Sequence, residues 1–134
     1  MRYYCPYCWH DFAEDLPRCP DCGLEIHRFM GEKDYVGKLI VALGHPEQET
    51  PIRAAWILGN LRDERAEEPL IKLLGRTQDV YIACAAAEAL GKLGTRRARQ
   101  FLKDVSGTHP ASMVRDLAAT AASGRFRRHA EETT

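Results

Sequence analysis

The feature that most limits the fold of this chain is an internal repeat with a period of about 32 residues. The segment from Ala54 to Leu61 matches the segment from Ala86 to Leu93 at a shift of 32 residues without a gap. A third copy covers Val114 to Ala121, and a partial copy from Leu39 to Gly44 lies upstream. Repeats of this length form small units that bury their apolar faces only against neighbouring units. About three copies therefore predict a stacked solenoid.

Each repeat is predicted to contain two helices. In the second repeat, Leu70, Leu73 and Leu74 have the i, i+3, i+4 spacing of one apolar helix face. The second helix is the alanine-rich segment from Ile82 to Leu93, whose small side chains let neighbouring helices approach closely. We therefore expect an all-α fold in residues 32–124, an α-solenoid of about three helix pairs.

Three residues are predicted to lie at the ends of the first helix of a repeat. Asp63 and Thr95 are equivalent residues, and a side-chain oxygen at either position can accept from the free N–H groups of a first helical turn. Gly75 is predicted to end the first helix of the second repeat.

The segment from Ile52 to Leu74, with its Ala-Ala-Trp-Ile-Leu-Gly-Asn-Leu core, resembles the short HEAT repeats of the phycobilisome-lyase type. The resemblance covers about residues 34 to 123. It implies a solenoid that serves as a binding scaffold. No chromophore-binding residue of that family can be carried over to a position in this chain.

Four cysteines precede the repeats, in two Cys-x-x-Cys pairs ten residues apart: Cys5, Cys8, Cys19 and Cys22. Two facing pairs place four thiolates at the corners of a tetrahedron, which suits a closed zinc site. Because no corner is open to substrate, we expect a structural metal that replaces the core a module of about 30 residues cannot build. Residues 1–31 are predicted to form a zinc ribbon, with His10 and His27 as surface or second-shell residues.

The segment from Leu16 to Gly23 is also similar to the second knuckle of a rubredoxin. This resemblance implies iron as the alternative metal and electron transfer within a larger redox complex as an alternative function. Tetrahedral all-sulfur sites accept either metal, so both remain open.

The sequence shows no constellation of catalytic residues. It contains no phosphate-binding loop, no nucleophile elbow and no metalloprotease motif. The acidic pair Glu67 and Glu68 lies at a predicted helix N-terminus, where the helix dipole is a sufficient reason for it. We therefore expect a non-enzymatic protein.

The chain is expected to be cytoplasmic and not to cross a membrane. No run of residues approaches the roughly 18 apolar residues of a membrane span, and the N-terminus lacks the pattern of a secretion signal. Reduced thiols in that compartment agree with metal ligation. The fifth cysteine, Cys84, is expected to be a small buried apolar residue.

Trp56 departs from the repeat, because its equivalents are Glu88 and Thr120. This column is expected to face solvent, and an exposed tryptophan on a concave surface is typical of a binding anchor. The alternative is that the metal module or the partial upstream repeat covers Trp56. The predicted protein-binding face consists of two residue triplets on neighbouring second helices: Arg53, Trp56, Asn60, Tyr81, Glu88 and Lys92.

Charge is balanced over the whole chain but not along it. Residues 92–128 hold nine basic and two acidic side chains, a net charge of +7. Residues 125–134 are predicted to be a disordered or frayed basic tail. We expect a protein-binding adaptor, with nucleic-acid binding through the basic end as an alternative and with self-association or assembly into a larger complex also open.

Overall fold

The computed structural model describes residues 2–124. Its helices are α1 (Ile26–Gly31), α2 (Tyr35–Ala42), α3 (Glu49–Leu61), α4 (Glu67–Arg76), α5 (Val80–Leu93), α6 (Arg96–Thr108) and α7 (Ser112–Ala122). Two short antiparallel strands, β1 (Tyr3–Tyr4) and β2 (Asp11–Phe12), precede them. The predicted tail, residues 125–134, lies outside the described residues.

Three helix pairs stack side by side, and this confirms the predicted α-solenoid. The pairs are α2 with α3, α4 with α5, and α6 with α7. The second helices α3, α5 and α7 pack directly on one another and form the main contact between repeats. The predicted division at residues 31 and 32 falls in the turn between α1 and α2.

Equivalent residues of successive repeats are buried at equivalent places in the core. Leu58 and Leu90 are equivalent residues on the second helices, and Leu70 and Leu102 are equivalent residues on the first helices. All four are fully buried. Burying a leucine side chain contributes roughly 1.5–3 kcal/mol, so each repeat adds similar stabilising contacts at the same two places.

The second helices approach most closely at two glycines. A Cβ atom at Gly59 would lie 2.9 Å from the Cα of Ala89. A Cβ atom at Gly91, one repeat later, would lie 2.7 Å from the Cβ of Ala121. These distances are shorter than van der Waals contact, so only glycine permits the observed separation of the helices.

Hydrogen bonds between repeats join residues about one period apart. The Arg65 guanidinium donates to Asp34 at 2.9 Å, and Lys92 donates to Asn60 at 2.9 Å. These partners are 31 and 32 residues apart in the chain. The Thr95 hydroxyl, which also caps α6, donates to Glu67 of the preceding repeat at 2.6 Å. Each repeat is thus fixed in register by polar contacts as well as by its core.

The predicted helix ends are partly right. Thr95 caps α6 as expected, with its oxygen accepting from Ala98 N–H. Asp63 caps a short 3-10 turn, Glu64–Ala66, that leads into α4. The prediction that Gly75 ends α4 is wrong by one residue, because Gly75 keeps a helical conformation and Arg76 forms the last position.

Asp34 gives one pH-dependent prediction. The N–H of Gly37 and the guanidinium of Arg65 hold the pKa of Asp34 below its usual range. A carboxylate with a lowered folded pKa stabilises the fold above its unfolded pKa, about 3.9, and the stabilisation is lost as the pH falls through the folded value. We expect Asp34→Asn to lower the melting temperature at about pH 7 and the difference from wild type to shrink below about pH 3.9.

Arg65→Gln is the companion variant, because it leaves the capping oxygen of Asp34 in place but removes the guanidinium that pairs with both Asp34 and Asp63. In thermal unfolding followed by circular dichroism, its difference from wild type should also shrink at low pH, where both carboxyls are protonated. A difference between Asp34→Asn and wild type that is equally large at neutral pH and at about pH 3 would contradict the charge-based explanation.

Candidate metal centre and binding face

The four predicted metal ligands lie together. The Sγ atoms of Cys5, Cys8, Cys19 and Cys22 are all within 4.8 Å of one another. Cys5 Sγ lies 3.5 Å from Cys22 Sγ, and Cys8 Sγ lies 3.6 Å from Cys19 Sγ. Four thiolates at about 2.3 Å from a zinc ion would be about 3.8 Å apart in an ideal tetrahedron. The donor set and its spacing therefore fit a tetrahedral metal ion.

Two loops of the same backbone design hold these cysteines. In the first loop, Cys5 N–H donates to His10 C=O and Trp9 N–H donates to Cys5 C=O. In the second loop, Cys19 N–H donates to Leu24 C=O and Gly23 N–H donates to Cys19 C=O. The strands β1 and β2 flank the first loop, and a single bridge between Arg18 and Glu25 flanks the second. The two loops thus present their sulfurs in the same way.

Backbone N–H groups point at the sulfur atoms. Tyr7 N–H donates to Cys5 Sγ, and Cys22 N–H donates to Cys19 Sγ, both at 3.4 Å. The N–H of Cys22 stabilises the thiolate and helps to lower the pKa of Cys19 to about 6. The N–H of His10 acts in the same sense on Cys8, but burial and the neighbouring thiols raise the pKa of Cys8 to about 12. Metal binding must displace such protons, so affinity for the metal falls as the pH falls.

Trp9 follows the first pair of cysteines in an uncommon conformation. Its φ is 62°, and Gly23 has a φ of 80° at the equivalent position of the second loop. A left-handed conformation is ordinary for glycine but costs a bulky residue roughly 1–2 kcal/mol. The sequence predicts positive φ at Gly23 and gives no such signal for Trp9.

This conformation places the Trp9 ring against the solenoid. A Cβ atom at Gly44 would lie 3.0 Å from Trp9 Nε1, so the ring packs on the bare backbone at the end of α2. The rings of Trp9 and Tyr4 both meet His45 edge-on, with centroid distances of 5.4 and 4.5 Å. Tyr4 also donates its hydroxyl proton to Glu47 at 3.0 Å. The metal module therefore docks on the turn between α2 and α3.

Neither histidine of the module belongs to the sulfur cluster. His10 Nδ1 lies 2.9 Å from an oxygen of Asp21, and His27 Nε2 lies 3.0 Å from an oxygen of Asp15. Both imidazoles are more than half exposed. They are surface residues that pair with carboxylates within the module.

The residues of the predicted binding face lie on α3 and α5. Trp56 is 59% exposed, so the metal module does not cover it in the described structure. The ammonium of Lys92 lies 5.6 Å from the centre of the Trp56 ring, donates to Asn60 and pairs with Glu88 at 3.8 Å. The structure thus brings these four residues together.

A small groove lies beside the Trp56 ring. Ala85 and Ala89 line it together with Ile52, and its volume is about 80 Å³. Tyr81 is 63% exposed near the start of α5, and Arg53 is exposed and pairs with Glu49 on its own helix. The groove, which sequence reasoning missed, arises because two alanines of α5 face the tryptophan of α3.

Cys84 lies on α5, outside the sulfur cluster. Its side chain packs against the core, as predicted for a small apolar residue. It is only partly buried, whereas the sequence predicted a buried residue. Burial and the nearby charge of Glu88 raise the pKa of the Cys84 thiol. A smaller fraction of Cys84 is therefore thiolate, the nucleophilic form, than for a cysteine in water at the same pH.

Comparison with protein families identifies the solenoid. The family model of HEAT repeats matches residues 36–123, which include α3 to α7 and most of α2. The chain belongs to the HEAT-repeat family. No match is found among the curated proteins. HEAT repeats occur as interaction scaffolds, and here they follow a four-cysteine cluster that could hold a metal ion. None of the described HEAT helices is long and apolar enough to cross a bilayer.

Proposed function

We propose that this HEAT-repeat protein is a non-enzymatic adaptor that binds another protein through the α3–α5 face and is completed by a zinc-held module. The observation that carries this proposal is the exposed Trp56 ring beside an apolar groove. Cysteines that bind a metal as thiolates suit a reducing compartment such as the cytoplasm.

The Trp56 face has the composition of a binding site. Aromatic residues carry a large share of the binding energy in protein interfaces, because they bury much area and lose few rotamers. The charges around Trp56 are already paired within the face, as Lys92 with Glu88 and Arg53 with Glu49. A partner would therefore gain affinity from an apolar side chain placed in the groove rather than from a new ion pair.

Trp56→Ala is expected to weaken partner binding by at least about tenfold, because it removes the anchor of the face. The melting temperature should change little, since the ring is 59% exposed. To find the partner, a photo-reactive amino acid at position 81 is used to crosslink it in the source cells, and mass spectrometry identifies the adduct. The yield of the crosslinked adduct is then compared between the protein with Trp56 and the Trp56→Ala variant.

The photo-reactive residue at position 35 is the control. Tyr35 is 60% exposed, close to the 63% of Tyr81, but lies on the first helix α2. It should give no adduct with the same partner. Equal adducts from both positions, or a melting temperature of Trp56→Ala several degrees lower, would count against the proposed face.

The metal is proposed to be zinc with a structural role. The four sulfur atoms lie within 4.8 Å of one another, and as thiolates they would fill all four corners around a tetrahedral ion and leave none for a substrate or water. Metal analysis of protein purified from its own host should give about one zinc per chain and a colourless solution. About one iron per chain, with a red colour that reduction bleaches, would replace this proposal with electron transfer.

A further inference from the structure

Helix α6 carries a row of cations on its exposed side. Arg96, Arg99 and Lys103 are spaced i, i+3 and i+7, which places them on one helix face, and all three are exposed. The opposite face holds Ala98 and Leu102, which are buried in the core. We refer to Arg96, Arg99 and Lys103 as the basic stripe.

The charges of the basic stripe destabilise helix α6. Arg96 is equivalent to Glu64, one repeat earlier, so an acidic residue is replaced by a basic one. Arg99 is likewise equivalent to Glu67. The N-terminal end of a helix favours acidic residues, and like charges at i and i+4, as in Arg99 and Lys103, repel each other. An anionic ligand would offset this repulsion.

The stripe also lacks carboxylate partners among the described residues. Many arginines elsewhere in residues 2–124 pair with carboxylates, among them Arg2, Arg18, Arg28, Arg53, Arg65 and Arg97. Within the same part of the chain, no ion pair involves a residue of the basic stripe. Its three charges are therefore available to a ligand.

The last described residue, Gly124, lies beside the basic stripe. A Cβ atom at Gly124, where the described chain ends, would lie 3.7 Å from Nη2 of Arg99. The next residues in the sequence include Arg125, Arg127 and Arg128. In the sequence, Glu131 and Glu132 come after these arginines.

We propose that the basic stripe binds the phosphodiester backbone of a nucleic acid. Guanidinium groups match the geometry of phosphate oxygens, and two of the three stripe residues are arginines. Successive stripe residues are separated along the helix by about 4.5 and about 6 Å, which lets each side chain reach its own phosphate on one strand. The contacts involve no base edges, so the binding is independent of sequence. It is also independent of the α3–α5 face.

A lipid membrane fits this surface less well. A helix that lies on a membrane buries an apolar face among the lipids, but the apolar face of α6 is buried in the solenoid core. The large apolar residues that are exposed in residues 2–124 lie on other elements. Anionic lipid would therefore attract the stripe by charge alone.

The test uses the full chain with a labelled DNA duplex of about 20 base pairs, an RNA strand of similar length and vesicles that contain phosphatidylserine, over a range of salt from about 50 to about 300 mM. One variant combines Arg96→Gln, Arg99→Gln and Lys103→Gln. The matched control combines Lys38→Gln, Lys72→Gln and Arg76→Gln, which removes the same charge from exposed positions on α2 and α4. Thermal unfolding of both variants establishes that they are folded.

Wild type is expected to bind with a strong dependence on salt, and the stripe variant should flatten the slope of log K against log salt by about 2 to 3. The control should change it by less than about 1. Binding of DNA, of RNA or of both in this pattern supports the proposal and distinguishes the source of the phosphates. No binding at the lowest salt, equal losses in both variants, or binding only to vesicles that contain phosphatidylserine would overturn it.

Discussion

Gly91→Ala is expected to destabilise the solenoid by about 1 to 3 kcal/mol, although it adds only one methyl group. The new Cβ would lie 2.7 Å from Ala121 Cβ and 3.1 Å from Ala121 Cα. Because neither atom belongs to a flexible side chain, helices α5 and α7 must move apart. For a chain of this size, the change corresponds to a melting temperature lower by several degrees per kcal/mol.

The same substitution at Gly75 is the control and should have the opposite sign. Gly75 is exposed on α4, and a Cβ atom there would have no atom within 4 Å. Alanine in an exposed helix is more favourable than glycine by roughly 0.5 to 1 kcal/mol. Urea unfolding of both variants measures the two changes. A Gly91→Ala protein as stable as wild type would contradict the close contact between α5 and α7.

Replacing both Cys5 and Cys22 by serine is expected to abolish metal binding and to unfold residues 2–31, while most of the helical signal is retained. The residues that are buried within this module are Cys5 and Cys19, so it has no apolar core of its own. Structural zinc supplies on the order of 10–16 kcal/mol of folding free energy to such modules. Helices α2 to α7 keep their own core, which lies outside the module.

Hydrogen exchange and circular dichroism together check this prediction. Exchange protection should be lost in the module and in the α2–α3 turn on which Trp9 and Tyr4 pack. Cys84→Ser, which changes a cysteine outside the cluster, should retain metal and protection. Loss of all helical signal in the double variant would mean that the module is needed to fold the solenoid, and unchanged protection would mean that the metal is not needed to fold the module.

The repeats and the metal ligands could be predicted because each depends on spacing along the chain. Leu58 and Leu90 are equivalent in the sequence and are buried at equivalent places. The four cysteines form one cluster because each pair lies on a tight loop whose geometry is local. In both cases, distances in the sequence translate directly into distances in the fold.

Contacts that depend on the placement of whole units could not be predicted. Trp9 packs on Gly44 because the metal loop holds it at positive φ, a conformation that sequence rules reserve for glycine. The sequence predicts that the column of Trp56 faces solvent, but it leaves open whether another part of the chain covers the ring. That exposure depends on the metal module docking on the α2–α3 turn instead of on α3.

The polar contacts between repeats bear on how such a chain can grow. Lys92 and Asn60 are one period apart, and Arg65 and Asp34 are nearly so. A duplicated unit of about 32 residues would carry only one of Asn60 and Lys92, because these two partners occupy the same position of the repeat. It would carry the glycine at which the second helices cross, because Gly59 and Gly91 are also equivalent. A longer protein that arose from this one by tandem duplication would thus inherit the close helix packing, while its Lys–Asn contact would need a further substitution.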